Sequence, residues 1–449
     1  MVSKNKKAEA DGIISFKYQT PEGVKCVLDT AIDMVSENIG CYVVDPSADM
    51  TRRRKITANR LFRFFISKQG GSLRTEICEQ MPGGEEFQPS ALSMQRYKIK
   101  HEAFIRILAL FNKGIRPSNT FCGFHIIACD GSDVNIPFMS SEPDLIIQNG
   151  DNKPYCQIHV NALYDCLDGI YWDAEMTTPS HKMEPGALLE MASRQNYPGN
   201  SIIVCDRGYQ SYRVIAEMIE KSQKFLIRCK DIHSRSSILK RFDFEDSELD
   251  RNVSVFLTRN NKLYNSDRKK YALVNSGTEF PQLPTWSDEE YEVRYRVVRI
   301  RLDDGSYESL VTNLTEEEMP FESMKDLYHL RWNEETSFFG LKYRIGMIYF
   351  NARKLEGILQ EIYSALIMFN FAGAVAGCVK VDKREGAAYE VKTNFATSVT
   401  NIRRFMKGTL AETDLIARLK KYLIPIRPGR SFIRNLRMKS LIPFNVRLS

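Results

Sequence analysis

Ten cysteines are spread through the 449 residues, yet no two stand in a Cys-x2-Cys pair. That spacing disfavours a four-cysteine structural zinc site. MVSKNKKAEADG has no apolar leader, and with scattered thiols the expected setting is reducing and cytosolic. Histidine is scarce: there are six, none in His-x3-His spacing, which argues against a zinc hydrolase. No apolar run reaches the roughly 20 residues of a membrane span. The nearest approach, Ile362 to Val379, contains Ser364 and Asn370 and is bounded by Glu361 and Lys380, so it reads as a buried helix. With 43% hydrophobic and 27% charged residues, wholesale disorder is excluded. The length suggests two or three domains at roughly 150 residues each.

A large charge excess is also missing, but the near-balance of 63 Lys+Arg against 56 Asp+Glu hides an asymmetry. From Asn401 to Ser449 there are 12 basic and 2 acidic residues, which leaves the first 400 at −3. A basic C-terminal segment on a near-neutral body suits a polyanion, with nucleic acid first. A solvated basic tail would have the same composition.

Residues 1–120 read as a helical unit. The basic run Arg52–Lys55 leads to Thr57, an N-cap, and the amphipathic NRLFRFFISK. Gly70-Gly71 precedes SLRTEICEQM, where Ser72 can cap a helix, and Pro82-Gly83-Gly84 breaks the chain again. Ser90 then opens a further helix with Arg96, Tyr97 and Lys98 close behind. Short helices, a Gly-containing turn and a helix carrying Ser90, Arg96 and Lys98 suggest a helix-turn-helix-like DNA reader. A small bundle with a basic face would look similar.

From 121 to 350 the texture is α/β. FHIIACD ends in Asp130, two strands meet at Leu167-Asp168-Gly169, Pro185 opens a helix, and SIIVCD ends at Asp206. A helix and the strand KFLIRCK follow. This order predicts a mixed sheet with flanking helices. Residues 231–320 interrupt it with further strands, YEVRYRVVRIRL and SYESLVTNL, before one strong helix from Phe321 to Tyr343. Residues 351–449 comprise an apolar helix and the basic segment.

Tyr328, Arg331, Glu335 and Lys342 would fall at about 0°, 300°, 340° and 320° around one regular helix. A carboxylate among two cations and a phenol on one stripe is costly to bury unless it faces charge. A solvated face with an i,i+4 pair is the plain alternative. Asp130 and Asp206 each end an apolar strand, where side chains converge on one crevice. Two Asp and one Glu are the hard oxygen donors that Mg²⁺ prefers, and two-metal phosphodiester cleavage needs such a set.

DGSDVNIP at Asp130, DRGYQS at Asp206, and Tyr-x2-Arg-x3-Glu-x6-Lys from Tyr328 to Lys342 resemble transposases of the insertion-sequence-four type, over about residues 50–440. The Thr312-Asn313-Leu314 tripeptide precedes the last motif, as in that family. There are 75 residues between the two Asp and 128 between Asp206 and Glu335, which fits the family's β-strand insertion. The resemblance implies a ribonuclease H-like DDE core with Asp130, Asp206 and Glu335 as catalytic metal ligands. Mg²⁺, with Mn²⁺ as substitute, would be the cofactor. Tyr328, Arg331 and Lys342 would contact phosphates of the element's end. Arg207 and Gly208 complete the second motif, Gly208 for a tight turn. Asp133 is a rival ligand better read as a turn or cap residue, and Asp165, Asp168, Asp173 and Glu175 as hairpin and surface carboxylates.

The resulting expectation is a DNA transposase for cut-and-paste transposition, acting as a homodimer on terminal inverted repeats and target DNA. It would be cytoplasmic, nucleoid-associated and of bacterial type. A metal-dependent nuclease on the same fold, or a non-catalytic DNA-binding descendant, are the alternatives. In some relatives a Trp before the Thr-containing turn stacks on a flipped base during hairpin formation. Glu308 occupies that place here, so Tyr307, ahead of Trp286, is expected to substitute in a hairpin step.

Overall fold

The computed structural model describes residues 20–52, 55–80, 87–181, 183–379 and 391–425. Arg53, Arg54, Pro82-Gly83-Gly84 and the part of the basic C-terminal segment beyond residue 425 lie outside the described residues.

Five helices come first: α1 (Pro21–Glu37), α2 (Ala58–Ser67), α3 (Leu73–Gln80), α4 (Pro89–Arg96) and α5 (Glu102–Ile115). Their starts are chemical. The Thr20 hydroxyl accepts from the Gly23 amide at 3.1 Å, the Thr57 hydroxyl from Arg60 at 3.3 Å and the Ser72 hydroxyl from Thr75 at 3.2 Å. Val24, Val27, Leu28, Ala31, Ile32 and Val35 recur at helical spacing and are buried on one face of α1.

The sheet follows: β1 (His125–Ile136), β2 (Ile146–Ile147), β3 (Tyr155–Asp165), β4 (Ile170–Thr177), α6 (Glu184–Arg194), β5 (Ser201–Cys205), α7 (Tyr212–Glu220) and β6 (Lys224–Cys229). β4, β3 and β1 form an antiparallel meander; β5 lies parallel to β1, and β6 parallel to β5. The order β4-β3-β1-β5-β6 is the ribonuclease H-like arrangement. Residues 231–320 supply β7 (Leu249–Thr258), α8 (Asn261–Ser266), β8 (Tyr271–Leu273), β9 (Glu290–Arg301) and β10 (Tyr307–Thr312). β10 pairs antiparallel with β6, so the insertion prolongs the same sheet, in the order β6-β10-β9-β7-β8.

The predicted helix from Phe321 to Tyr343 is three pieces: α9 (Phe321–His329), α10 (Trp332–Phe339) and a π-helical turn, Gly340–Ile345. Around Arg331 the ladder tightens, with the Arg331, Asn333 and Glu334 amides each bonding the carbonyl three residues back. One tight and one wide turn mean that the regular-helix stripe does not apply. Then come α11 (Leu355–Gly377), β11 (Val391–Thr393), α12 (Phe395–Met406), α13 (Glu412–Lys421) and β12 (Leu423–Pro425). α11 is long and apolar enough to cross a membrane, but 89% of its most apolar window is buried inside the protein. It packs on α1, α2, α5, α12 and β4, so the N-terminal and C-terminal helices share one core with the sheet.

Candidate active site

Register brings the first two carboxylates together. Cys129 of β1 and Cys205 of β5 are partners in the parallel ladder, and Asp130 and Asp206 are the next residue on each strand. Asp206 ends its strand and caps the short turn Arg207–Tyr209, accepting from the Arg207 amide at 2.6 Å. Tyr209 is buried with its hydroxyl 3.5 Å from Cys129 Sγ, which ties that turn back to β1. Asp130 accepts from the Gly131 amide at 2.8 Å. Burial pushes the Asp130 carboxyl above the usual range, while that amide and Arg331 act in the other direction.

The helical motif supplies the rest. Arg331 is 4% exposed, with Nη1 3.8 Å from Asp130 Oδ2 and Nη2 3.3 Å from Glu335 Oε1. Its guanidinium carbon lies 5.7 Å from the Tyr328 ring centroid. Burial disfavours the cation, but Tyr328, Asp206 and Asp130 more than compensate and hold its pKa above that of an ordinary arginine. Tyr328 is buried, with Arg228 5.9 Å from its ring centroid. Lys342 reaches β1, its Nζ donating to Ser132 Oγ at 2.7 Å and to the Asp133 carbonyl at 2.5 Å. Asp130, Glu335, Arg331 and Lys342 are thus gathered on β1 despite the broken helix.

Several neighbours escaped the sequence reading. His159 on β3 bonds Asp133 at 2.7 Å through Nδ1, and its Nε2 lies 3.3 Å from Glu184 at the start of α6. Burial opposes the imidazolium, yet Asp133 and Glu184 together raise its pKa to about 8. Gly131 makes room for this ring: a Cβ there would lie 2.2 Å from His159 Nε2. A Cβ on Gly208 would lie 3.1 Å from Glu184 Oε2, and its φ is not positive, so space for Glu184 rather than turn conformation explains that glycine. Glu184 also contributes to the field at Asp130. Glu334 is fully buried, and burial beside Asp130 pushes its carboxyl well above the usual range. A polar residue in a close Asp-x2-Asp or Glu-Glu cluster was the available signal, but only packing separates inward from outward members.

Other expectations need correction. Arg96 is 1% exposed and donates to Gln360, Glu361 and the Gly357 carbonyl, so it is a core residue without surface for DNA. α4 ends there, and Lys98 follows it, part-exposed and 3.5 Å from Asp49. Asp133 sits in mid-strand, not in a turn. Asp165 and Asp173 are buried rather than on the surface; Asp173 bonds Arg194 at 2.8 Å. Glu175 bonds the same arginine at 2.7 Å. Tyr307 lies beneath Arg299, 3.6 Å from guanidinium to ring centroid, while Glu308 on the opposite strand face pairs with Arg228 at 3.3 Å. Strand alternation turns Tyr307 away from the pocket that contains Glu308 and Asp206. Trp286 is an exposed loop residue. Glu335 shares an open groove of about 1020 Å³ with Trp332, Phe339, Arg344 and Asp168.

The donor set of Asp130, Asp206 and Glu335 is all oxygen and fits a hard divalent cation. Their ligand atoms do not all lie within 4.8 Å of one another, and the charge among them is that of Arg331.

A ribonuclease H-like sheet with carboxylates on adjoining strands, Asp130 within β1 and Asp206 just after β5, joined through an arginine to a third on a helix, defines a class of nucleic-acid phosphodiester enzymes. A family model described as "Transposase DDE domain" matches residues 123–371, and the chain belongs to that family. It is a DNA transposase by family, with the nuclease and strand-transfer chemistry that this class carries out. Among solved structures the chain is similar to a piggyBac transposase synaptic complex with hairpin DNA, at 9% identity and a TM-score of 0.44, covering 92% of this chain and 87% of that one. No curated protein matches the sequence.

Proposed function

We propose that this protein is the transposase of an insertion-sequence-four-type element, cutting and joining phosphodiester bonds at the element's ends. The observation that carries the reading is Arg331, which contacts both Asp130 and Glu335 while Asp130, inside β1, and Asp206, just after β5, follow paired residues of adjacent strands. Asp130, Asp206 and Glu335 are the metal-binding residues. An ion held there, Mg²⁺ or Mn²⁺, would activate the attacking oxygen and neutralise charge on the leaving one.

The chain's own side chains position the DNA. Arg331 offers a planar fork that suits a phosphate bidentately, and Lys342 supplies a point charge beside β1. Tyr328 presents a buried hydroxyl beside Arg331. Exposed Arg207 borders the same turn, and Lys98 is the remaining candidate contact from the N-terminal helices. DNA affinity comes from such cations and from the basic segment beyond residue 425, whereas the carboxylates serve the reaction. Pairing of two element ends calls for a homodimer on DNA, and the setting is the bacterial cytoplasm and nucleoid.

The test uses full-length protein and DNA carrying the element's terminal repeats. With Mg²⁺ the wild type should release a 3′-hydroxyl end and join it to target DNA. Asp206→Asn should do neither yet bind the end. Cleavage without joining would reduce the protein to a nuclease, and binding without cleavage would refute the enzymatic reading.

A further inference from the structure

A second potential metal site lies away from the carboxylates assigned to DNA cleavage. His125 opens β1, and Asp165 and Asp168 belong to the turn between β3 and β4. His125 Nδ1 lies 3.5 Å from Asp165 Oδ2 and 4.0 Å from Asp168 Oδ2, and one ligand atom from each of the three falls within 4.8 Å of the others. Metal bonds of about 2.0–2.1 Å hold tetrahedral ligands roughly 3.3 Å apart, so the two histidine contacts need to close by only about 0.2 and 0.7 Å.

The histidine gives the cluster its meaning. Its residue is 6% exposed, yet Nδ1 is buried without a hydrogen-bond partner and is aimed at the two carboxylates. Leaving such a nitrogen unmatched costs free energy, and a divalent ion seated between it and the two carboxylates would satisfy all three. The aspartates are held in place by other donors. Asp165 accepts from the Leu167 and Asp168 amides at 3.0 and 2.9 Å and from Trp172 Nε1 at 3.3 Å. Asp168 accepts from the Asn119 amide and side chain at 3.1 and 2.7 Å. These are the orienting bonds that metal-ligating carboxylates have; Asp165 Oδ1 is used by the two amides, while Asp165 Oδ2 and both Asp168 oxygens accept one bond each and keep a lone pair for an ion. Asp168 also lines the groove that contains Glu335, which provides a route in from solvent.

We propose that His125, Asp165 and Asp168 bind one divalent ion of the zinc class, which staples the start of β1 to the β3–β4 turn. An imidazole with two carboxylates suits Zn²⁺ better than the all-oxygen set preferred by Mg²⁺. The staple bears on the catalytic helix, because the Cys166 carbonyl in that turn accepts from the Asn333 side chain at 3.0 Å. Occupancy therefore stiffens the support of Glu335 without touching the reacting atoms.

The experiment titrates Zn²⁺ into metal-free, full-length protein carrying Asp206→Asn and Glu335→Gln, so that the DNA-cleavage site cannot account for binding. One equivalent should bind and raise the Tm. Adding His125→Gln should weaken that binding by more than the roughly 10–100-fold that loss of an outer-shell partner costs, and abolish the Tm shift. Asp168→Asn, on a part-exposed turn, serves the same purpose where His125→Gln unfolds the chain. Unchanged Zn²⁺ affinity in both variants, or no bound ion in the parent, would overturn the proposal.

Discussion

Arg96 and Arg331 are both almost wholly buried beside carboxylates, and they are held in opposite ways. Arg96 donates from every nitrogen, to Gln360, Glu361 and the Gly357 carbonyl, with its guanidinium 4.0 Å from the Phe65 ring centroid. Glu361 accepts in addition from Lys68 at 2.9 Å and from the Asn351 and Ala352 amides. Burial alone would raise that carboxyl, but Lys68 and Arg96 bring it down to about 2. Arg331 instead meets its carboxylates loosely, at 3.8 Å from Asp130 and 3.3 Å from Glu335, beside the Tyr328 ring and a fully buried Glu334. Its carboxylate neighbour Asp130 is pushed up, not down. A satisfied network builds a core; an under-satisfied one is suited to receive a ligand.

The comparison breaks most visibly if the two clusters are cut separately. Asp130→Ala should lower DNA cleavage by roughly 10²–10³ or more, with the Tm little changed and end binding retained. Gel assays alongside thermal melts check this, and a large Tm loss with normal cleavage by the folded fraction would invert the roles assigned. Glu361→Gln should do the reverse, costing about 3–5 kcal/mol because Arg96 and Lys68 lose their buried counter-charge. Urea denaturation measures that loss, and cleavage per folded molecule should stay at the wild-type level.

Acid titration sharpens the same contrast. Because folding lowers the Glu361 pKa from 4.5 to about 2, its stabilisation is complete above the unfolded value and is lost as pH falls through that window. Glu361→Gln should flatten the acid limb of a stability–pH curve. His159 has the opposite sign: raised from 6.5 to about 8, it stabilises below the unfolded value and stops doing so as pH rises through about 8. Wild type should therefore lose stability between those two pH values, and His159→Gln should not. A curve identical for both proteins would show that the Asp133–His159–Glu184 set is not coupled to folding.

The smallest predicted effect tests how tightly the site is built. Gly131→Ala places a methyl 2.2 Å from His159 Nε2, and relief of that clash should cost about 1–3 kcal/mol. Differential scanning calorimetry checks it; a neutral result would mean that His159 swings aside freely.

Much of this was legible in the chain order. The apolar run ending at Asp206, the Leu167-Asp168-Gly169 turn and the Pro185 helix start are local signals, and each sits where its chemistry placed it, whereas β1 runs on past Asp130 to Ile136 because its polar second half still pairs with β3. Caps at Thr57 and Ser72 were readable because a hydroxyl needs only an amide three residues on. Arg96 misled for a physical reason. A basic residue on a short amphipathic helix looks solvent-directed until its partner is known, and Glu361 lies 265 residues away.

The sequence by itself determined the strand and helix order, the spacing of Asp130, Asp206 and Glu335, and the insertion between them, since these follow from local periodicity and residue type. Tertiary structure alone decided that the helix bearing Arg331 breaks and widens, that the insertion extends the sheet from β6, and that His159, Glu184 and Glu334 join the site. It also decided which arginine is satisfied and which is not. Burial and hydrogen-bond satisfaction are set by residues far apart in the chain, and no periodicity records them.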